Sequence, residues 1–334
     1  MIIDVHAHVL PPVELLAFQA VLRGSRGAHG LHRPIIPAES LEKVCSQNIA
    51  AIDAVGTDIQ LLSPRPFLMM HSDKPHAMVN HWTRVVNDTI HDVVQQHPKR
   101  FRGMAGLPQT FGSSPVDWLD ELDRALDELG FVGAVINPDP SEGGGYVPPM
   151  GDPWWYPLYE HMCKRDVPAL IHSAGCCSGR ESYSMHFISE ESLATVSLLT
   201  SRVYLDFPDL KLIMAHGGGS VPYQLGRWRA DRLHPQLRND APLKEDFRDS
   251  LRRIYFDTCV HEQLSLELLI RACGHENVLF GTENPGSGSV INPDTGRSFD
   301  DVLGNLAAIE WLHPDQKASI CDGNARRLFS RMEV

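Results

Sequence analysis

Short apolar runs rich in Val, Ile and Leu recur along the chain, and a more polar stretch separates each from the next. The runs are Ile2–Val5, Ile59–Leu62, Phe101–Leu107, Gly133–Ile136, Ala169–Ile171, Leu212–Ala215, Ile254–Asp257 and Val278–Phe280. Continuous apolar runs of this length suit strands buried on both faces, as in a parallel sheet. Between them, Asp120–Leu129 carries apolar residues at helical spacing, with Gly130 as a stop signal. Ser189–Leu199 opens with a capping residue and acids, which predicts a helix start there, and Asp300–Leu312 also reads as helix. Eight strands alternating with helices predict an α/β fold, a (β/α)8 TIM barrel in preference to a long doubly wound sheet. Residues 1–334 are expected to form a single domain. Leu10–Pro37, Pro138–Pro153 and Pro285–Phe299 are irregular, rich in Gly and Pro, and each follows a strand. They read as long βα loops over the active site.

Composition narrows the function classes. The 334 residues are 43% hydrophobic, enough for one large core. The net charge is −12 and no Lys/Arg-rich block occurs, so nucleic acid is not an expected partner. Seven cysteines, an odd number with no CxxC pair, do not form a disulfide scaffold. The opening MIIDVHAH lacks a signal-peptide pattern, and no run of about 20 apolar residues suggests a membrane span. A cytoplasmic protein is expected.

The candidate chemistry lies at the strand ends. His6 and His8 alternate on the first strand and project to the same side. The fifth run ends at His172, the sixth leads into His216-Gly217-Gly218-Gly219, and the eighth into Gly281-Thr282-Glu283. In a barrel the C-terminal strand ends converge, so these residues would meet in one cavity. His6, His8, His172 and Glu283 offer three imidazoles and a carboxylate to a divalent metal. Imidazole donors favour zinc, and manganese or iron accept similar ligands. His216 then remains as a general acid or base; the reverse assignment, His216 as ligand and Glu283 as base, is equally open at this stage. Asp257, after the seventh strand, suits a supporting carboxylate hydrogen-bonded to a ligand His.

The opening IIDVHAH, the Ile171-His172 pair, Ala215-His216-Gly217-Gly218-Gly219 and the acid after Phe280-Gly281-Thr282 resemble the amidohydrolase-related family that contains aminocarboxymuconate semialdehyde decarboxylase and the 4-oxalomesaconate hydratases. Ser63-Pro64-Arg65, Asn137-Pro138-Asp139-Pro140-Ser141, His216 to Tyr223, Gly226-Arg227, Phe256 to Val260 and Asn324 to Arg327 are similar to the hydratase subgroup. The similarity spans essentially the whole chain. Ser173 to Cys177 and Asn284-Pro285 depart from the subgroup's pattern. The resemblance implies a metal-dependent hydro-lyase that hydrates 4-oxalomesaconate to 4-carboxy-4-hydroxy-2-oxoadipate in protocatechuate and gallate breakdown. It also implies self-association into a dimer or larger assembly.

Alternatives are a metal-dependent decarboxylase of an aromatic or muconate-type acid, a hydrolase on the same constellation, and a catalytically dead barrel serving as a scaffold. A tricarboxylic substrate needs cationic partners, and Arg65, Arg227 and Arg297 are the candidates, each with a surface ion pair as its competing reading. Asn137, His71, Cys177 and Tyr223 are further candidate substrate contacts. Asn137 equally suits a turn before Pro138, and His71 a buried structural role. Trp154, Trp155 and Tyr156 read as packing residues.

Overall fold

The computed structural model describes residues 1–30, 32–175, 179–236, 242 and 244–333. Eight parallel strands follow one another around a single sheet in the order of the chain. They are β1 (Ile3–His8), β2 (Ile59–Ser63), β3 (Phe101–Gly106), β4 (Gly133–Ile136), β5 (Ala169–Ile171), β6 (Leu212–Met214), β7 (Tyr255–Asp257) and β8 (Val278–Leu279). Each of the eight apolar runs contributes a strand. The ring closes between its ends: Val5 N–H donates to Phe280 O at 2.9 Å and Glu283 N–H to His6 O at 2.7 Å. The architecture is the α/β TIM barrel that the pattern predicts.

Alternation along the strands sorts the core into two shells. Ile3, Val5, Ile59, Leu61, Met104, Val135, Leu170, Ile213 and Leu279 fill the interior, and Leu328 and Phe329 from the C-terminal segment plug its lower end. The residues between them pack outward against the helices; in that layer Trp82, Trp118, Trp155 and Tyr159 are fully buried. Trp155 meets Trp118 and Trp154 edge to face and donates its indole N–H to Pro148 O at 2.9 Å, as a packing residue with a polar handle does. Among the described residues no helix is long and apolar enough to cross a membrane.

Strict alternation along β1 would put Ile3 and Val5 on one face and His6 and His8 on the other. The pairing with β2 shows how both sets face inward. Ile3 pairs with Ile59 and Asp4 with Gln60, but Ala7 pairs with Leu62 and His8 with Ser63. Two residues, Val5 and His6, therefore stand opposite the single Leu61. This β-bulge shifts the parity by one, so apolar side chains fill the interior below it and imidazoles face the same interior above it.

Helix boundaries differ from the expectations where capping signals mislead. The helix expected from Ser189 begins at Tyr183 and runs to Thr200, so the acids read as its first turn lie in its middle. Leu10–Pro37, expected to be irregular, contains the helix Val13–Ser25, which starts directly after Pro11-Pro12; proline at a helix start leaves no hydrogen bond unmade. The helix expected over Asp300–Leu312 is only Val302–Ala308, with Asp301 as its cap. Pro138–Pro153 is loop, and Leu119–Asp127 forms the helix expected near 120.

Candidate active site

Four imidazoles and one carboxylate meet above the apolar interior. His6 and His8 leave β1, His172 follows β5, His216 follows β6 and Glu283 follows β8. The ring centroids of His6, His8, His172 and His216 lie 4.9–5.2 Å apart in every pair that touches. One potential donor atom from each of His6, His8, His172 and Glu283 falls within 4.8 Å of the others. Glu283 Oε1 stands 3.7 Å from His8 Nε2 and 3.9 Å from His172 Nε2, and its Oε2 stands 3.6 Å from His216 Nε2.

The outer partners of the rings decide which nitrogen faces the centre. His6 Nδ1 donates to Asp257 Oδ2 at 2.6 Å, and His172 Nδ1 to Ser173 O at 2.6 Å. His8 Nδ1 donates to Ser63 Oγ at 2.8 Å, because that hydroxyl already gives its own proton to backbone carbonyls. Each ring therefore carries its proton outside and a lone pair on Nε2 inside. His6 Nε2, His8 Nε2 and His172 Nε2 are all buried and have no hydrogen-bond partner. Burial pushes the pKa of His8 and of His172 down, which keeps both neutral, the form that binds a cation. For Glu283, burial opposes ionisation, but the protonated His216 ring, whose Nε2 faces Glu283 Oε2 at 3.6 Å, outweighs it and holds the carboxyl below its usual range.

Buried polar atoms without partners are rare and costly, about 1–3 kcal/mol each. Three of them aimed at one carboxylate, at separations too long for hydrogen bonds, leave room for one small ion. Two donors that each bond one ion at about 2.0–2.1 Å stand no more than about 4.2 Å apart, and Glu283 Oε1 lies 3.7 and 3.9 Å from His8 Nε2 and His172 Nε2. The donor set fits a divalent metal.

His216 is built differently. Its Nδ1 donates to both oxygens of Glu191, at 2.8 and 3.0 Å, and Glu191 is fully buried. Burial disfavours a charged ring, but the Glu191 and Glu283 carboxylates outweigh it and raise the His216 pKa well above its ordinary value. Its backbone is left-handed (φ 49°), and so are Gly217, Gly218 and Gly219 after it. A Cβ on Gly218 would stand 2.6 Å from Phe256, and one on Gly219 2.4 Å from Ser192 Oγ, so the glycines permit both the turn and the close approach of helix Tyr183–Thr200.

Asp4 holds the β1 and β8 ends together: its carboxylate accepts from Thr282 Oγ1 at 2.6 Å, Thr282 N at 3.1 Å and Gln60 Nε2 at 3.0 Å. Burial raises its pKa to about 6 despite these bonds. Glu191, Ser63 and Asp4 escaped the reading of candidate residues. For Glu191 a signal existed: it shares a helical face with Phe187, Ala194, Thr195 and Leu198, and a carboxylate on such a face needs a buried partner.

The remaining candidates divide. Arg65 is half-buried and donates from Nη2 to Pro285 O at 2.9 Å, tying the loop after β2 to the loop after β8. Asn137 and His71 are buried together, with Asn137 Nδ2 donating to His71 Nδ1 at 3.1 Å. Burial lowers the His71 pKa to about 4, and its Nε2 has no partner. Tyr223 is exposed and lines a cavity of about 360 Å³ that also includes His216, Phe187, Cys259, His261 and Ser287. Arg227 is exposed on helix Leu225–Leu233. Arg297 is exposed and pairs with Asp301 at 3.0 Å, the surface arrangement that competed with a substrate role. Cys177 lies outside the described residues. Cys259 is a buried thiol whose pKa burial and the nearby carboxylates push up, so it stays neutral.

Comparison with known proteins shows the family and the fold. The Amidohydrolase family matches residues 3–331. A 2-keto-4-carboxy-3-hexenedioate hydratase of Sphingobium sp. is 34% identical over 349 residues, covering 100% of this chain and 97% of the relative. The crystal structure of 4-oxalomesaconate hydratase from Rhodopseudomonas palustris superposes with a TM-score of 0.88 at 32% identity, over 99% of this chain and 96% of that one. A dihydroxybenzoic acid decarboxylase from Polaromonas sp., whose structure contains bound manganese, shares the fold with a TM-score of 0.76 at 22% identity, over 100% of this chain and 98% of that one.

Proposed function

The chain belongs to the amidohydrolase family, and on that footing we propose that it is a metal-dependent hydro-lyase adding water across the conjugated C=C bond of 4-oxalomesaconate, to give 4-carboxy-4-hydroxy-2-oxoadipate. The observation that carries the metal dependence is the set of buried, unpartnered Nε2 atoms of His6, His8 and His172 facing Glu283. These four residues would hold the ion. A bound divalent ion supplies Lewis acidity and brings its water toward a pKa of about 7. Zinc suits three imidazoles and one carboxylate best; manganese and iron accept the same donors.

The chain's own residues do the rest. Glu283 holds its carboxylate ionised, where it can orient the attacking water and take up the proton that water loses, which then returns to His216. His216, kept protonated by Glu191, delivers a proton to the carbon next to the one attacked. Glu191 cannot relax this arrangement, because it is buried and accepts from His216 through both oxygens. Arg65 is the cationic group proposed to bind a substrate carboxylate, and His71 is proposed as a neutral hydrogen-bonding group through its unpartnered Nε2, with its ring oriented by Asn137, whose amide protons go to His71 Nδ1 and Asp139 O.

The whole chain acts as one barrel unit. It self-associates, as the resemblance implies, which light scattering of the purified protein tests. Five cysteines among the described residues are free, and the compartment proposed is the cytoplasm. The deciding assay incubates the metal-loaded protein with 4-oxalomesaconate and follows loss of the conjugated absorbance, beside Glu283→Ala as control. Hydroxylated product supports the reading; release of carbon dioxide without it replaces the hydratase with a decarboxylase.

A further inference from the structure

The last three strands leave the barrel in a common way. After β6 the chain turns left-handed at His216 (φ 49°), after β7 at His261 (φ 58°) and after β8 at Glu283 (φ 59°). Left-handed backbone is uncommon for residues with a side chain, and it concentrates where a function requires it. Elsewhere among the described residues Arg26 and Asp166 adopt it as helix caps and Met70 and Glu142 adopt it in loops; His261 is set apart from these by following a barrel strand beside the site. Two of the three exits carry the residues assigned above to proton transfer and to metal binding. His261 has no role in that account.

Its surroundings suggest one. His261 lines the same cavity as His216 and Ser287, and Ser287 reaches Glu283 Oε2 at 3.4 Å. The ring lies over Gly288 in the loop after β8, where a Cβ would stand 2.5 Å from His261 Cε1 and 3.0 Å from its Nδ1. His261 Nδ1 is thereby sealed from solvent and has no partner, which leaves Nε2 as the nitrogen available to the cavity. The other charged groups acting on the ring are His216, Glu283, Asp257 and the fully buried Asp300.

We propose that His261 is a substrate-contacting residue: its imidazole hydrogen-bonds a carboxylate or keto oxygen of the bound oxo acid from the β7 side of the cavity, and Gly288 provides the seat that aims it. The inference rests on the hydratase reading for the identity of the substrate. His261 binds and orients; the proton stays with His216.

The test compares wild type, His261→Ala, His261→Gln and Gly288→Ala, each loaded with zinc. With 4-oxalomesaconate, His261→Ala raises KM about ten-fold or more, the size of a lost hydrogen bond to a charged group, while kcat and metal content change little. His261→Gln, which keeps a donor, recovers part of the loss, and Gly288→Ala shifts KM in the same direction by displacing the ring. Wild-type KM in His261→Ala overturns the proposal, and so does an equal fall in kcat for the Ala and Gln variants. If wild type does not turn over 4-oxalomesaconate, the hydratase reading fails alone. Calorimetric binding of propane-1,2,3-tricarboxylate then decides the role of His261: about ten-fold weaker binding in His261→Ala supports it, and equal binding overturns it.

Discussion

At the lower end of the barrel Ile3, Leu170, Ile213 and Leu279 meet Leu328 and Phe329, and the interior is closed by apolar contact alone. At the upper end His6, His8 and His172 face the same interior from the same strands, yet three ring nitrogens have no partner. The lower end contributes stability by area, at about 25 cal/mol per Å². The upper end removes polar atoms from water and returns nothing for them unless a ligand arrives. Stability and function are therefore separated along the barrel axis, with the β1 bulge as the switch between them.

Substitutions at the two ends should behave oppositely. The largest effect is expected at His216: His216→Asn lowers kcat by roughly 10²–10⁴-fold, the usual contribution of a general acid. The metal content stays near wild type, as steady-state kinetics and elemental analysis will show, while the melting temperature falls because Glu191 is left buried without its charged partner. Phe329→Ala, at the lower end, costs about 3–5 kcal/mol of stability in denaturant unfolding, because it leaves a cavity in the plug. Activity per folded molecule is retained. If Phe329→Ala loses its metal while still folded, the two ends are coupled and the separation is wrong.

How far this division was legible in the chain depends on the physics of each part. Parallel strands buried on both faces read as apolar runs whatever their neighbours, so all eight were visible. The convergence of His6, His8, His172, His216 and Glu283 followed from strand ends meeting in a ring. The bulge was not visible, because no residue type in Asp4-Val5-His6-Ala7 marks it; only the pairing with Leu61 and Leu62 does. Helix Val13–Ser25 hid behind the Pro11-Pro12 pair, and Glu191 hid as an apparent first-turn acid because Ser189 imitates a cap.

Two smaller effects sharpen the picture of the upper end. Asp257→Asn removes the carboxylate that fixes the His6 ring, and metal affinity, measured by competition with a chelator, should fall about 10–100-fold. Glu191→Gln changes the pH profile. The Glu191 carboxylate raises the His216 pKa, so its removal lowers that pKa. A general acid is lost as pH rises through its pKa, so the alkaline fall of kcat/KM moves to lower pH in Glu191→Gln. An unmoved alkaline limb would assign the proton transfer to another group.

The most direct measurement is the metal stoichiometry of the purified chain after equilibrium dialysis against divalent ions, read by elemental analysis for wild type, His172→Ala and Phe329→Ala. One ion per chain in wild type and in folded Phe329→Ala, with none retained by His172→Ala, is the predicted result. Wild type that holds no ion, or His172→Ala that holds one as tightly, contradicts the claim that the unpartnered imidazoles exist to bind it.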